Sequence, residues 1–326
     1  MYLFYHIFVF FSIVFCMFDQ SLSHNIKGGK KMNHSLISQT INEIYEQYIK
    51  TRNSIGIVNH SHLGKFLVSG IGSLDLINQY SACKLDDKIG TSFYTIFLRK
   101  KKFISEVLIL RLSLYRFLVI GCEKQKIHKI LKKARKHYRT CTVTDCTSEY
   151  SLFAFHGNNA TDFFKGLEYR YIFKTKRQNY TYYQLLSPRK DEDITLKHFF
   201  SLDFVPTSLE VEKLFLYNNN VILNIERIPK AFRLSICNEI YPFTNLRIRT
   251  RKVKIHKYEL EQNFLVTNRD KIYNHLGRKI GIIHCSYRLP YKRYPLVIAF
   301  IYRTKAKIPV VRVGKKEALI KPILNY

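Results

Sequence analysis

Short apolar runs separated by turn residues fill most of this chain, and helical spacing interrupts them in two places. From Leu67 to Val119, a Ser69-Gly70-Ile71-Gly72 break precedes a helical Leu74–Ile77 face, and Phe93–Leu98 and Val107–Leu112 follow as strands. Between 123 and 138 the apolar residues Ile127, Ile130, Leu131, Ala134 and Tyr138 recur at helical intervals. Lys124, Lys126, Lys129, Lys132, Lys133, Arg135 and Lys136 surround them, which predicts an amphipathic basic helix. Its basic face is either a solvated outer surface or a contact with nucleic acid or lipid. Val143 and Tyr150–Phe155 continue as strand, and the turn His156-Gly157-Asn158-Asn159 opens another helix. The pattern is α+β, a sheet with helices packed on one face. Further on, Arg247, Arg249 and Arg251 alternate with Ile248 and Thr250. Lys252, Lys254 and His256 then alternate with Val253 and Ile255, the phase change of a strand with a bulge. From Lys279, the runs Ile280–Ile283, Leu296–Tyr302 and Ile308–Val313, divided by Pro- and Lys-rich turns, predict a small antiparallel β-barrel or sandwich. A boundary near Leu246 gives domains over 46–246 and 247–326, without a fixed-period repeat.

The N-terminus reads as an address in two parts. Tyr2 to Phe18 is apolar and aromatic except for His6 and Ser12, and Ser21-Leu22-Ser23 follows it, so residues 1–23 are expected to be a signal sequence. A membrane-spanning helix needs about 20 apolar residues, which leaves a signal anchor as the alternative. Residues 24–45 resemble a transit peptide, because Ser21 to Asn42 has no acid while Lys27, Lys30 and Lys31 are present. Together they predict a secondary, apicoplast-like plastid, with a mitochondrion or the secretory pathway as alternatives. Secretion would make use of the Asn-x-Ser/Thr acceptors at Asn33, Asn59, Asn159 and Asn179.

At 326 residues the chain can bury a sizeable core, and 46% hydrophobic with 14% aromatic residues describes a folded protein. Lys+Arg 54 against Asp+Glu 24 gives a net charge of +30, which draws the protein towards anionic partners without naming one. The seven cysteines are widely spaced with no C-x-x-C, so neither a zinc site nor a disulfide framework is expected, and a reducing compartment is favoured. Cys141 and Cys146, around a T-x-T run, read as buried thiols.

The segment Arg52-Asn53-Ser54-Ile55-Gly56-Ile57-Val58-Asn59-His60-Ser61-His62-Leu63-Gly64-Lys65 resembles the opening signature of the aminomethyltransferase folate-binding superfamily. That superfamily holds the glycine-cleavage T-protein and related folate-binding iron–sulfur cluster assembly and repair factors. Asn59 stands where the family prefers Asp. Phe66–Gly70, Gly90–Leu98 with Tyr94, Phe103–Leu112 and Tyr150–Ala160 are similar to successive family strands and turns. Gly277–Tyr302 is similar to its C-terminal barrel hairpin.

The resemblance implies a larger domain that binds tetrahydrofolate or a one-carbon derivative. The T-protein's Gly-Gly-x-x-Asp-Asp matches Lys101-Lys102-Phe103-Ile104-Ser105-Glu106, which makes Glu106 the candidate catalytic and folate-facing carboxylate. Lys101 and Lys102 in place of glycines disfavour positive φ there. Glu226, in Leu223-Asn224-Ile225-Glu226-Arg227-Ile228-Pro229, resembles the family's pterin-contacting glutamate or else terminates a helix, and Tyr94 either stacks on the pterin or fills the core. The T-protein's Y-T-G-E-x-G-F-E stretch has no counterpart evident between Lys165 and Leu216, and the iron–sulfur branch's Lys-Gly-Cys-Tyr-x-Gly-Gln-Glu is missing after Leu246. The expected function is a folate-dependent accessory factor for iron–sulfur protein maturation or repair in an organelle. The alternatives are an aminomethyltransferase working with a lipoyl carrier protein, and a basic nucleic-acid-binding protein. Folate is the expected partner, with iron–sulfur client enzymes or the lipoyl carrier beside it. Nucleic acid is disfavoured, and no membrane is expected in the mature chain.

Overall fold

The computed structural model describes residues 34–85, 88–165, 171–244, 253–260, 266–268, 270–274, 276–302, 311–313, 316–318 and 320–322. The expected signal sequence, residues 24–33 of the transit-like segment and the Arg247–Lys252 half of the expected bulged strand lie outside the described residues. Contacts divide the chain into a unit over 47–250 and a second that groups the start of the first helix with the strands from Val253 onward.

Helix α1 (His34–Asn53) buries Ile41, Ile44, Tyr48 and Thr51, spaced three or four residues apart as one helical stripe requires. It runs without a break past residue 45, where the transit-like segment was expected to end.

In the unit over 47–250 the chain continues through β1 (Gly56–Asn59), β2 (Gly64–Ser69), α2 (Ser73–Asn78), β3 (Ser92–Arg99), β4 (Lys102–Ser113) and β5 (Arg116–Gly121). Next come α3 (Lys124–Arg135), β6 (Thr142–Asp145), β7 (Tyr150–His156), α4 (Ala160–Phe164), β8 (Ile172–Arg177) and β9 (Tyr180–Pro188). Last are α5 (Glu192–Ser201), β10 (Val205–Pro206), α6 (Leu209–Asn218) and α7 (Lys230–Ile240). The ten strands form one sheet in the order β10-β1-β7-β9-β8-β3-β4-β5-β2-β6. Neighbours are antiparallel except β1 with β10 and β3 with β8, and the second of these parallel pairs joins the two halves.

Period-two alternation gives this sheet two apolar faces. On one, Phe66, Phe97, Val107 and Phe117 pack beneath Leu76, Ile127 and Leu131 of α2 and α3. Ile57, Phe153 and Phe155 pack beneath Phe164 and Phe199 of α4 and α5. Intervening positions such as Leu108, Leu118, Leu152 and Leu186 form the opposite face, where Tyr94, Tyr180 and Tyr182 also lie. Helices α6 and α7 come to that second face, through Glu212 and Tyr241. Glycine is required at Gly157, in the turn after β7. Its φ is +123°, and a Cβ would lie 2.3 Å from the Ser54 carbonyl oxygen.

The expectation that Lys101 and Lys102 disfavour positive φ holds at Lys102 and fails at Lys101, in the β3–β4 hairpin. Lys100 and Lys101 both adopt positive φ, 48° and 61°, because a two-residue connection matched to strand twist requires it at both positions. Hairpin closure overrides the lysine Cβ penalty.

The second unit is a seven-stranded sheet with the order β16-β15-β12-β13-β14-β11-β17, every pairing antiparallel. Its strands are β11 (Val253–Leu260), β12 (Lys271–Tyr273), β13 (Lys279–Tyr287), β14 (Leu296–Tyr302), β15 (Val311–Val313), β16 (Lys316–Ala318) and β17 (Ile320–Pro322). Its core includes Leu260, Ile272, Ile283, Val297 and Ala299. The two edge strands, β16 and β17, are consecutive in the chain with residue 319 alone between them. That connection spans at most about 7 Å, which brings one end of each edge strand close to the other.

Candidate functional site

Tyr94 and Glu106 lie on adjoining strands of the second face of the larger sheet, where Tyr94 pairs with Leu108 and Ile96 with Glu106. Arg177, the last residue of β8, donates through Nη2 to Glu106 Oε2, and its Nε lies 3.5 Å from Oε1. The Tyr241 hydroxyl, at the end of α7, donates to Oε1 as well. The side chains of Arg177 and Glu106 are only 15% and 13% exposed, so this is a shielded ion pair rather than an acid at a strand edge. The guanidinium carbon of Arg177 also sits 4.8 Å from the centre of the Tyr94 ring, a cation–π contact. Tyr94 and Tyr182 share a hydroxyl–hydroxyl bond of 2.9 Å.

Burial decides the protonation of these phenols. Desolvation pushes Tyr94 up to about 12, against the opposing pull of Arg177, and lifts Tyr182 and Tyr241 well above the ordinary tyrosine value. All three remain neutral donors at physiological pH. Burial works against the Arg177 charge, yet Glu106 holds it more firmly charged than usual.

Glu226 lies in a 3-10 turn, Ile225–Arg227, that contacts β4. Its placement is set by side chains at a distance in sequence. Gln178 donates to the Ile222 carbonyl at 3.0 Å and accepts from the Ile222 N–H at 2.7 Å, tying the β8–β9 turn to the approach segment. Arg233 of α7 donates to the Glu226 and Ile228 carbonyls and lies over the Phe103 ring. The residue is exposed and its carboxylate has no side-chain partner among the described residues. Desolvation and then the charge of Glu106 raise it from the ordinary carboxyl value. Glu106 and Glu226 therefore share one electrostatic neighbourhood, with Tyr94 behind Arg177.

A second buried constellation adjoins Tyr182. Glu212 of α6 accepts from His60 Nε2 at 2.7 Å and from His156 Nε2 at 3.0 Å, and the Tyr180 hydroxyl lies 3.2 Å from His156 Nδ1. Burial works against the Glu212 charge, but the two histidines outweigh it and hold the carboxyl well below the usual range. The rings of His156, Tyr180 and Tyr182 stack with interplanar angles of 7° to 20°. One polar and aromatic chain thus runs from Glu212 to Glu106.

The Asn59–Lys65 segment forms the β1–β2 connection. Asn59 Oδ1 accepts from the Ser61 N–H at 2.8 Å, an Asx turn, while its amide donates to Glu192 Oε1 at 2.7 Å. Aspartate could keep the turn but would set a second carboxylate against Glu192, which accounts for asparagine here. Lys65 is buried and donates to the carbonyls of Ser61 and Leu63, at 2.9 and 3.0 Å. Desolvation lowers its ammonium to about 8.

Among the described residues no His, Cys, Asp and Glu group could hold a metal ion, and Cys141 and Cys146 are buried free thiols. Tyr94, Glu106 and Glu226 are brought to one region, whereas Arg177, Gln178, Tyr182, Tyr241 and the His60–Glu212–His156 cluster escape the sequence reading. The one usable signal is the Lys174–Arg177 stretch of β8, a strand pattern ending in a basic residue.

Fold and site together define an α+β protein with a ten-stranded sheet, a shielded polar site on one face and a smaller antiparallel β unit. Residues 27–186 match the GCVT N-terminal domain family. The fold is similar to that of glycine cleavage system aminomethyltransferase T from Bartonella henselae, with a TM-score of 0.66 at 15% identity, over 85% of this chain and 87% of that one. Heterotetrameric sarcosine oxidase from Corynebacterium sp. U-96 aligns with 46% of this chain and 86% of its own, at 11% identity and a TM-score of 0.32, too low to bear on the fold. No curated protein sequence matches the chain. Residues 27–186 thus carry the sequence pattern of the GCVT N-terminal domain, on a fold similar to that of an aminomethyltransferase T.

Proposed function

We propose that this protein binds a reduced folate where Glu226, Tyr94 and the Glu106–Arg177 pair meet, and that it acts as a folate-dependent accessory factor rather than a transferase. The observation that carries this reading is the closure of Glu106. A general acid or base must reach the group it serves. Here Arg177 and Tyr241 already donate to both carboxylate oxygens. Tetrahydrofolate fits the group left open beside that pair: the Glu226 carboxylate offers two acceptors to an amino-pyrimidine edge. A bound folate would supply a one-carbon carrier, while the chain's own residues bind and orient it.

The finer assignment, iron–sulfur protein maturation or repair, rests on the glycines missing before Glu106, and the address at residues 1–45 supports a plastid. Clients under this reading are iron–sulfur enzymes. The aminomethyltransferase alternative, with a lipoyl carrier protein as partner, is favoured only by the retained carboxylate. An assay with tetrahydrofolate and aminomethyl-loaded lipoyl carrier protein distinguishes the two. The wild-type chain is expected to form no methylenetetrahydrofolate, and robust formation abolished by Glu106→Gln would reverse the assignment.

A further inference from the structure

Two loops at one end of the larger sheet leave large apolar side chains in solvent. Ile71 is 73% exposed, Leu114 51% and Tyr115 45%. Backbone geometry makes them neighbours: Ser69 of β2 pairs with Arg116 of β5, and the Gly70 N–H donates to the Tyr115 carbonyl at 2.9 Å. The connection after α3 presses on the same place. Gly70 has a φ of +120°, and a Cβ there would lie 2.1 Å from the Thr140 carbonyl oxygen, so only glycine allows this approach. A Cβ is equally absent at Gly72, where it would lie 3.1 Å from the Tyr138 ring. The apolar tips therefore stand beside the C-terminal end of α3, where Arg135, Lys136 and Arg139 are exposed, and next to exposed Arg116. Among the described residues the exposed acid of this end is Asp75 on α2, while Glu123 is at the far end of α3, paired with Lys126 at 2.7 Å.

We propose that this end of the protein docks on an anionic lipid surface, with Ile71, Leu114 and Tyr115 entering the interface and Arg116, Lys136 and Arg139 meeting the headgroup phosphates. Aliphatic groups at projecting loop tips, ringed by arginine and lysine, suit a bilayer boundary, where apolar burial and attraction to anionic lipid act together. Nucleic acid would need the cations but leave Ile71 and Leu114 without a role, since it is held by phosphate contacts and ring stacking. The sequence reading expected no membrane for the mature chain, and no helix among the described residues is long and apolar enough to cross one. A surface contact needs no such helix. Residues 71, 114 and 139 become one patch only through the fold.

Flotation of the purified full chain with phosphatidylcholine vesicles, with and without phosphatidylglycerol, tests this independently of folate. Wild type should float with the anionic vesicles and not with the neutral ones. Ile71→Asp with Leu114→Asp, and separately Arg116→Glu with Arg139→Glu, should each lower partitioning by about tenfold or more while circular dichroism stays unchanged. Three results would overturn the proposal: no flotation of folded wild type, flotation that the aliphatic pair leaves intact, or single-stranded RNA that displaces the vesicles and still binds the aliphatic variant.

Discussion

Both oxygens of Glu106 accept from donors far away in sequence, Arg177 at 71 residues and Tyr241 at 135. Removing one partner of a shielded pair leaves the other charge uncompensated, so Glu106→Gln should destabilise the fold by about 3 kcal/mol. A lowered urea midpoint at unchanged slope checks this. A loss below about 1 kcal/mol would mean that solvent already screens the pair. The family resemblance singled out Tyr94 and Glu106, but their partners were illegible because no local pattern predicts which arginine will cross 71 residues to meet a glutamate. Glu212 offers a pH test. Its carboxyl is depressed in the folded protein, so its stabilisation is complete above the unfolded value of about 4.5 and fades as pH falls towards the lower folded value. Glu212→Gln should accordingly destabilise at pH 7, and the difference from wild type should narrow below about pH 4.5. Equal differences at both ends would place the stabilisation in packing rather than charge.

At the scale of elements, the β3–β4 hairpin holds two lysines in left-handed backbone. Non-glycine residues pay about 1 kcal/mol for that conformation. Lys100→Asn with Lys101→Gly should therefore raise stability by about 1 kcal/mol or more, and thermal unfolding would show it as a higher midpoint. An unchanged or lowered midpoint would mean that the lysines make compensating contacts. Strands from Leu67 to Phe155 and helix α3 were legible because their periodicity is strong. The β8–β9 hairpin was not, since Ile172–Pro188 lacks the Gly-rich turn of the family stretch expected there and instead turns at Gln178 with a φ of 56°. Helices α6 and α7 also escaped the sequence reading, because their buried residues follow long-range contacts more than a clean amphipathic stripe. Gln178 and Arg233, which anchor the turn carrying Glu226, could not be recognised without those neighbours.

Across the whole molecule, fold outlasts sequence: similarity to aminomethyltransferase T is retained at 15% identity. The net charge of +30 complicates any test with an anionic ligand, because electrostatic attraction alone would concentrate folate near the surface. Physiological salt, with a screening length of about 8 Å, suppresses that background and leaves contacts made at close range. The central claim is a folate site that uses Glu226, and it is tested most directly by titrating wild type and Glu226→Ala with 5-formyltetrahydrofolate under those conditions. Saturable one-site binding is predicted for wild type, weakened in the variant by about 1.5–3 kcal/mol, or roughly 10- to 150-fold in Kd, with circular dichroism unchanged. Folded wild type that does not bind, or a variant with the same Kd, would contradict it.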